Sequence, residues 1–223
     1  SKELNLLNKK DIEFWLDKNK VEVIIHCAGL VGGIQANINN PSEFLFNNIH
    51  MGINLVNAAL NSEIKNFINL GSSCMYPKNI SKAIDESQLL SGKLEETNEG
   101  YAIAKIATMK YCEYISITKT NYFYKTIIPC NIYGKFDDFS QFGSHMIPGV
   151  IARMHKAKNC RDKFLTIWGD GNARREFMYA EDLADAIWFC LHNIKRIPNT
   201  LNAGIGRDYS ILEYYKEISE VIG

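Results

Sequence analysis

The sequence has no excess charge of either sign: 25 Lys and Arg face 25 Asp and Glu. No basic stripe favours nucleic acid, and no anionic tail appears. It lacks any apolar run near the roughly 20 residues that span a bilayer, and no signal peptide is visible. Its six cysteines, Cys27, Cys74, Cys112, Cys130, Cys160 and Cys190, form no C-x-x-C pair. That spacing argues against zinc ribbons and thioredoxin-type sites, and no metal is expected. Most of the cysteines sit in apolar segments as small hydrophobes, so a reducing, cytoplasmic location without disulfides is expected. Internal repeats and low-complexity tracts are also missing. What is present is an ordinary globular composition, 46% apolar and 22% charged over 223 residues, with room for a real core.

The patterning alternates between helix and strand. A helix is predicted over 10–18, capped by Asn8, with Ile12, Trp15 and Leu16 as its apolar stripe. A β-branched, buried strand follows over 21–26. Residues 27–39 read as a loop whose Gly32-Gly33 is not a G-x-G-x-x-G fingerprint. Asn40-Pro41-Ser42-Glu43 opens a helix to about residue 60, with Phe44, Leu45, Ile49, Ile53, Val56 and Leu60 facing inward. A strand over 67–70, a long polar loop over 78–100 and a helix over 101–118 come next; that helix carries Ile103, Ile106, Met109 and Tyr114. Further strands are predicted over 124–129, 165–168 and 200–203, and helices over 145–158 and 181–192. Ser210 and Glu213 form a capping box for the last helix. This alternation predicts an α/β fold with a doubly wound parallel sheet. Residues 1–134 and 176–206 are assigned to the sheet domain, and 135–175 with 207–223 to a smaller, substrate-facing unit.

The chemistry concentrates between Ser72 and Lys105. Ser72 and Ser73 follow the strand Phe67-Ile68-Asn69-Leu70, and open α/β sheets present their sites at strand carboxyl ends. Tyr101 and Lys105 are one helical turn apart and share a face. A free phenol ionises near pH ~10, and a nearby cation favours its phenolate. Lowering that value by about three units takes roughly 4 kcal/mol, much of which a close lysine supplies in a dry site. A serine that binds a carbonyl oxygen and a tyrosine that handles its proton suit hydride transfer to or from a carbonyl carbon. Tyr-x-x-x-Lys alone is common and marks nothing; the strand-end serines give it weight. Asn131, just past a strand end, points to the same crevice.

The segments Val31-Gly32-Gly33-Ile34-Gln35-Ala36-Asn37, Gly71-Ser72-Ser73-Cys74-Met75-Tyr76-Pro77 and Glu95-Glu96-Thr97-Asn98-Glu99 carry a resemblance, together with Tyr101-Ala102-Ile103-Ala104-Lys105-Ile106-Ala107. Ser144-His145-Met146-Ile147-Pro148 and Trp168-Gly169-Asp170-Gly171 with Arg175-Glu176-Phe177 extend it. Over essentially the whole chain the sequence resembles the extended short-chain dehydrogenase/reductases, and within them the GDP-L-fucose synthase family of 3,5-epimerase/4-reductases. The resemblance implies a Rossmann-like fold whose glycine-rich N-terminal unit is missing here, in a protein that also continues past Gly223. It implies NADP(H) as cofactor, a GDP-linked 4-keto-6-deoxy sugar as substrate and a homodimer paired through the helices beginning near Asn40 and Tyr101.

By the same resemblance Ser72 binds the ketone oxygen, Tyr101 protonates the alkoxide, and Lys105 holds the nicotinamide ribose. Cys74 and His145 become the acid/base pair that inverts C3 and C5, whose hydrogens the 4-keto group acidifies. Thiol and imidazole, titrating near ~8.5 and ~6.5, suit that work. Leu70, Gly71, Ser73, Pro129, Asn131, Ile132 and His145 are assigned to the cofactor, and Asn5 and Leu6 to its adenine. Arg153 and Arg175 are assigned to the diphosphate, which calls for forked donors, and Trp168 to the nucleotide. His26, His50, His155 and His192 carry no motif and are read as structural. The rival readings are a C4-reductase without epimerase activity acting on a GDP-4-keto-6-deoxy-heptose, a dehydratase or 4-epimerase of the same fold, and a catalytically silent nucleotide-binding partner protein. Dehydratases typically need an acidic pair beside the serine, where this chain has Ser73-Cys74.

Overall fold

The computed structural model describes residues 3–80, 83–140, 143–167 and 169–223. In chain order its elements are α1 (Lys9–Lys18), β1 (Val23–His26), α2 (Ile34–Asn39), α3 (Pro41–Asn61), β2 (Asn66–Leu70), α4 (Glu99–Thr118) and β3 (Phe123–Pro129). Then follow β4 (Asn131–Tyr133), α5 (Met146–Cys160), β5 (Arg174–Arg175), β6 (Phe177–Tyr179), α6 (Ala180–His192), β7 (Thr200–Ala203), β8 (Tyr209–Ser210) and α7 (Ile211–Ile222). They form two compact units, Ser1–Pro129 with Ala184–Ala203, and Cys130–Leu183 with Gly204–Gly223.

The first unit is built on a four-stranded sheet in the order β1-β2-β3-β7, every neighbouring pair parallel. Parallel strands need crossover helices, which is why helical segments separate them. One face of β2 and β3 packs Phe67 and Tyr124 against Leu55, Val56, Ala59, Cys112 and Ile115 of α3 and α4. A Cβ on Gly52 would collide with the Thr108 side chain, and one on Gly100 would lie 2.7 Å from the Pro41 carbonyl oxygen. The two glycines therefore let α3 and α4 run side by side from their first turns, which fixes where Tyr101 and Lys105 sit.

The segment from Met75 to α4 is pinned to the sheet. Tyr76 Oη donates to Asn202 Oδ1 at 2.7 Å, Asn202 N donates to Glu86 Oε1 at 2.6 Å, and Asn202 Nδ2 donates to the Ile84 carbonyl at 3.4 Å. Met75 and Tyr76 are buried with Ile106, Met109 and Ile128. Short 3-10 turns at Ser73–Met75, Glu86–Gln88 and Glu96–Asn98 punctuate this stretch.

The second unit pairs β4 with β6 in parallel and β5 with β8 antiparallel. Its last helix has the expected capping box: Glu213 N donates to Ser210 Oγ at 3.2 Å and Ser210 N to Glu213 Oε2 at 2.6 Å.

Several expectations are corrected. The segment expected to be loop over 27–39 contains α2. Asn40 heads α3, but its amide donates to the Ala36 carbonyl rather than capping. The buried face of α3 is Phe44, Asn48, Gly52, Leu55, Val56, Ala58 and Ala59, because α3 packs through its small residues against α4. Trp15 is 39% exposed, Ile25 41%, Ile103 41% and Tyr114 58%. Residues 165–167 form no strand. No described helix is long and apolar enough to cross a membrane, all six cysteines are free, and no described side chains group as metal ligands.

Candidate active site

Ser72, Cys74, Tyr101 and Lys105 all belong to the first unit. β2 ends at Leu70, and Gly71 N still donates to the Ile127 carbonyl at 2.8 Å. A Cβ at Gly71 would press Ile128 and Met75 at 3.0 Å, so the chain turns off the strand where only a hydrogen fits. Ser72 N then donates to Met75 Sδ at 3.3 Å, and Cys74 Sγ donates to Ser72 Oγ at 3.2 Å. The serine and the thiol sit on one short turn.

Lys105 is 6% exposed. Its ammonium donates to the Leu70 carbonyl at 3.0 Å. A Cβ on Gly29 would stand 3.8 Å from it. The cation thus occupies the carboxyl ends of β1 and β2, where an open parallel sheet presents its chemistry. Burial lowers its pKa, partly offset by Cys74 and Cys27.

The acidic phenol expected for Tyr101 is not what this arrangement produces. Burial raises the Tyr101 pKa well above the phenol value, and Cys74 adds to the rise. Lys105 Nζ lies 5.7 Å from the Tyr101 ring centroid and donates to the Leu70 carbonyl. Cys74 likewise departs from an ordinary thiol: burial pushes it up to about 11, against the smaller opposing pull of the Ser72 hydrogen bond. At neutral pH it is a thiol that donates.

Of the residues assigned to the cofactor, Leu70, Gly71, Ser72, Ser73, Lys105 and Pro129 fall in the first unit, with Asn5 and Leu6 ahead of α1. Asn5 Oδ1 accepts from Leu7 N at 3.1 Å, and Leu6 packs on the core beneath α3. Asn131, Ile132 and His145 fall in the second unit. There Asn131 Nδ2 donates to the Glu176 carbonyl at 2.9 Å, Ile132 pairs with Met178, and His145 stands exposed at the N-cap of α5.

Arg153, two turns along α5, donates to the Thr166 carbonyl at 3.2 Å and to Tyr215 Oη, over whose ring it lies. Exposed Arg175 donates to the Arg174 carbonyl at 2.7 Å. Trp168 lies outside the described residues.

Reasoning from sequence read His26 as structural and Cys27 as one of the free cysteines, and gave Asn69 no role beyond its strand. His26 is 3% exposed and Asn69 fully buried, and Cys27 is the residue after β1. Their signal is a polar side chain inside or at the end of an otherwise apolar strand.

The family model for the NAD dependent epimerase/dehydratase family matches residues 2–204. The GDP-L-colitose synthase of Yersinia pseudotuberculosis is 53% identical over 223 residues, covering all of this chain and 72% of that protein. The GDP-L-fucose synthase of Azorhizobium caulinodans is 45% identical over 223 residues, covering all of this chain and 71% of that protein. Among solved structures, the GDP-mannoheptose C4 reductase of Campylobacter jejuni, with NADP bound, superposes with a TM-score of 0.88 at 26% identity, over all of this chain and 76% of its own. The parallel sheet, the chemistry gathered at its carboxyl edge and these matches agree: the chain is an enzyme of the NAD dependent epimerase/dehydratase family.

Proposed function

We propose that the protein reduces the 4-keto group of a GDP-linked 4-keto-6-deoxy sugar with NADPH and inverts C3 and C5 before it does so. The observation that carries this reading is the pair Ser72 and Cys74, hydrogen-bonded on one turn, in the same unit as the buried Lys105 and Tyr101. A reductase needs Ser, Tyr and Lys; a thiol beside the serine adds a group that moves protons at carbon. The relatives named for GDP-L-fucose and GDP-L-colitose point to the same class of substrate.

The first unit suits a nicotinamide ribose. Lys105 is a buried ammonium whose described hydrogen bond goes to a backbone carbonyl, and an ammonium carries three N–H donors, so it has donors to offer sugar hydroxyls. When bound, the cofactor supplies the hydride delivered to C4. Ser72 orients the ketone oxygen. The high phenol pKa of Tyr101 keeps its proton in place until an alkoxide, a stronger base, develops beside it. Cys74, a thiol at neutral pH, returns a proton to carbon or gives one up to an enolising sugar, with His145 as its counterpart. Arg153 and Arg175 hold the diphosphate. A homodimer through α3 and α4 belongs to the same reading, supported by Phe46, Tyr114 and Ile117, 58%, 58% and 61% exposed on those helices.

The test is incubation of the protein with NADPH and GDP-4-keto-6-deoxymannose in deuterated water, with the product solved by NMR. Reduced sugar carrying deuterium at C3 and C5 is expected. Reduced product without deuterium would mean a C4-reductase alone, and no turnover would sink the reading. A second reading, formation of GDP-L-colitose, is favoured by the 53% identity to the Yersinia pseudotuberculosis enzyme. It predicts faster turnover of the 3-deoxy substrate.

A further inference from the structure

A row of polar side chains crosses the sheet just below the Lys105 ammonium. His26, Asn69, Thr126 and Thr200 are successive register partners on β1, β2, β3 and β7, so their side chains leave the same face of the sheet. Asn69 Nδ2 donates to Thr126 Oγ1 at 3.2 Å. His26 Nδ1 and Asn69 Oδ1 have no hydrogen-bond partner among the described residues. Both side chains are buried, at 3% and 0% exposure. Leaving such atoms unsatisfied costs the desolvation of each, and two adjacent ones inside an apolar core call for a shared partner.

Lys105 closes the third side. Its Nζ is held at the Leu70 carbonyl, one residue beyond Asn69, and stands over Gly29, three residues beyond His26. A buried water typically makes about three hydrogen bonds, and this corner offers three groups of the right kind. We propose that His26 Nδ1 and Asn69 Oδ1 hold a resident water that accepts an N–H of Lys105, making both side chains positioning residues for the active-site lysine. The water accepts once and donates twice. His26 Nδ1 must then be an acceptor, which requires a neutral ring protonated on Nε2. The depressed pKa of His26, about 4 through burial and then the Lys105 charge, agrees with that neutral ring. The link to catalysis rests on the proposed reading of Lys105; the water site itself does not.

The experiment therefore has two arms. A high-resolution crystal structure, with ring 15N NMR of the wild-type protein, should show water between the two atoms and an unprotonated, hydrogen-bonded Nδ1. Protonation on Nδ1, or a dry corner, would overturn the inference whatever the enzyme does. Kinetically, His26→Phe and Asn69→Leu should each raise the cofactor KM and lower kcat about tenfold or more, as a displaced catalytic group does. The double variant should be no worse than either single variant, since either change removes the water. Additive losses, or unchanged kcat and KM in correctly folded variants, would refute the positioning role. A wild type that turns over none of the keto sugars defeats the functional reading but leaves the crystallographic arm to decide the water.

Discussion

Cys74 Sγ donates to Ser72 Oγ across 3.2 Å, so the thiol and the hydroxyl share one proton-bearing contact. Ser72 cannot orient a ketone oxygen without feeling the state of Cys74. Cys74→Ser is expected to keep the contact, as a hydroxyl pair, while replacing a thiol with a far weaker acid. Solvent-deuterium incorporation at C3 and C5 should then fall by about 10² or more, the usual worth of a positioned acid or base, and hydride transfer should fall much less. Equal losses in both assays would show that Cys74 acts only through Ser72.

Tyr101→Phe removes the proton that a developing alkoxide needs. Keto-sugar-dependent NADPH oxidation should fall by about 10² to 10⁴, with folding intact by circular dichroism. Unimpaired oxidation would remove Tyr101 from the mechanism.

His26 gives the fold an acid limit. Its pKa is about 4 in the folded chain against an ordinary 6.5, so the unfolded chain binds its proton first as pH falls. The stability it contributes is complete above pH 6.5 and is lost on descent through about 4, on the order of 3 kcal/mol in all. Urea midpoints measured between these limits should decline in the wild type. The decline should be shallower in His26→Phe, and parallel slopes would refute it.

Gly52 sets the spacing of α3 and α4. Gly52→Ala should push against Thr108 and cost about 1–3 kcal/mol, as overpacking does, read as a lower melting temperature. Thr108→Ala in the same chain should recover most of the loss. No recovery would place the strain elsewhere.

Much of the first unit was legible because its signals are local. A β-branched run marked β1, apolar runs marked β2 and β3, Asn8 announced α1, and Ser72, Tyr101 and Lys105 stood at strand-end and helix-turn spacing. What escaped was decided by packing. The buried face of α3 follows Gly52 and Asn48 rather than its largest side chains, since close helix contact rewards small residues. His26 read as structural and Asn69 as part of an apolar strand because their relation lies across the sheet, in a register no single strand encodes. The low acidity of Tyr101 follows from its burial, with Cys74 adding to it, and spacing along a helix does not specify how deeply a side chain is buried.

Glu86 takes the outward N–H of Asn202 on β7, the strand that ends one side of the sheet. An open strand edge is a template for pairing with another chain. The segment that leads from Ser72 to Tyr101 therefore also occupies one of the donors that such an edge offers, so that a substitution detaching Glu86 frees that donor as well as the segment.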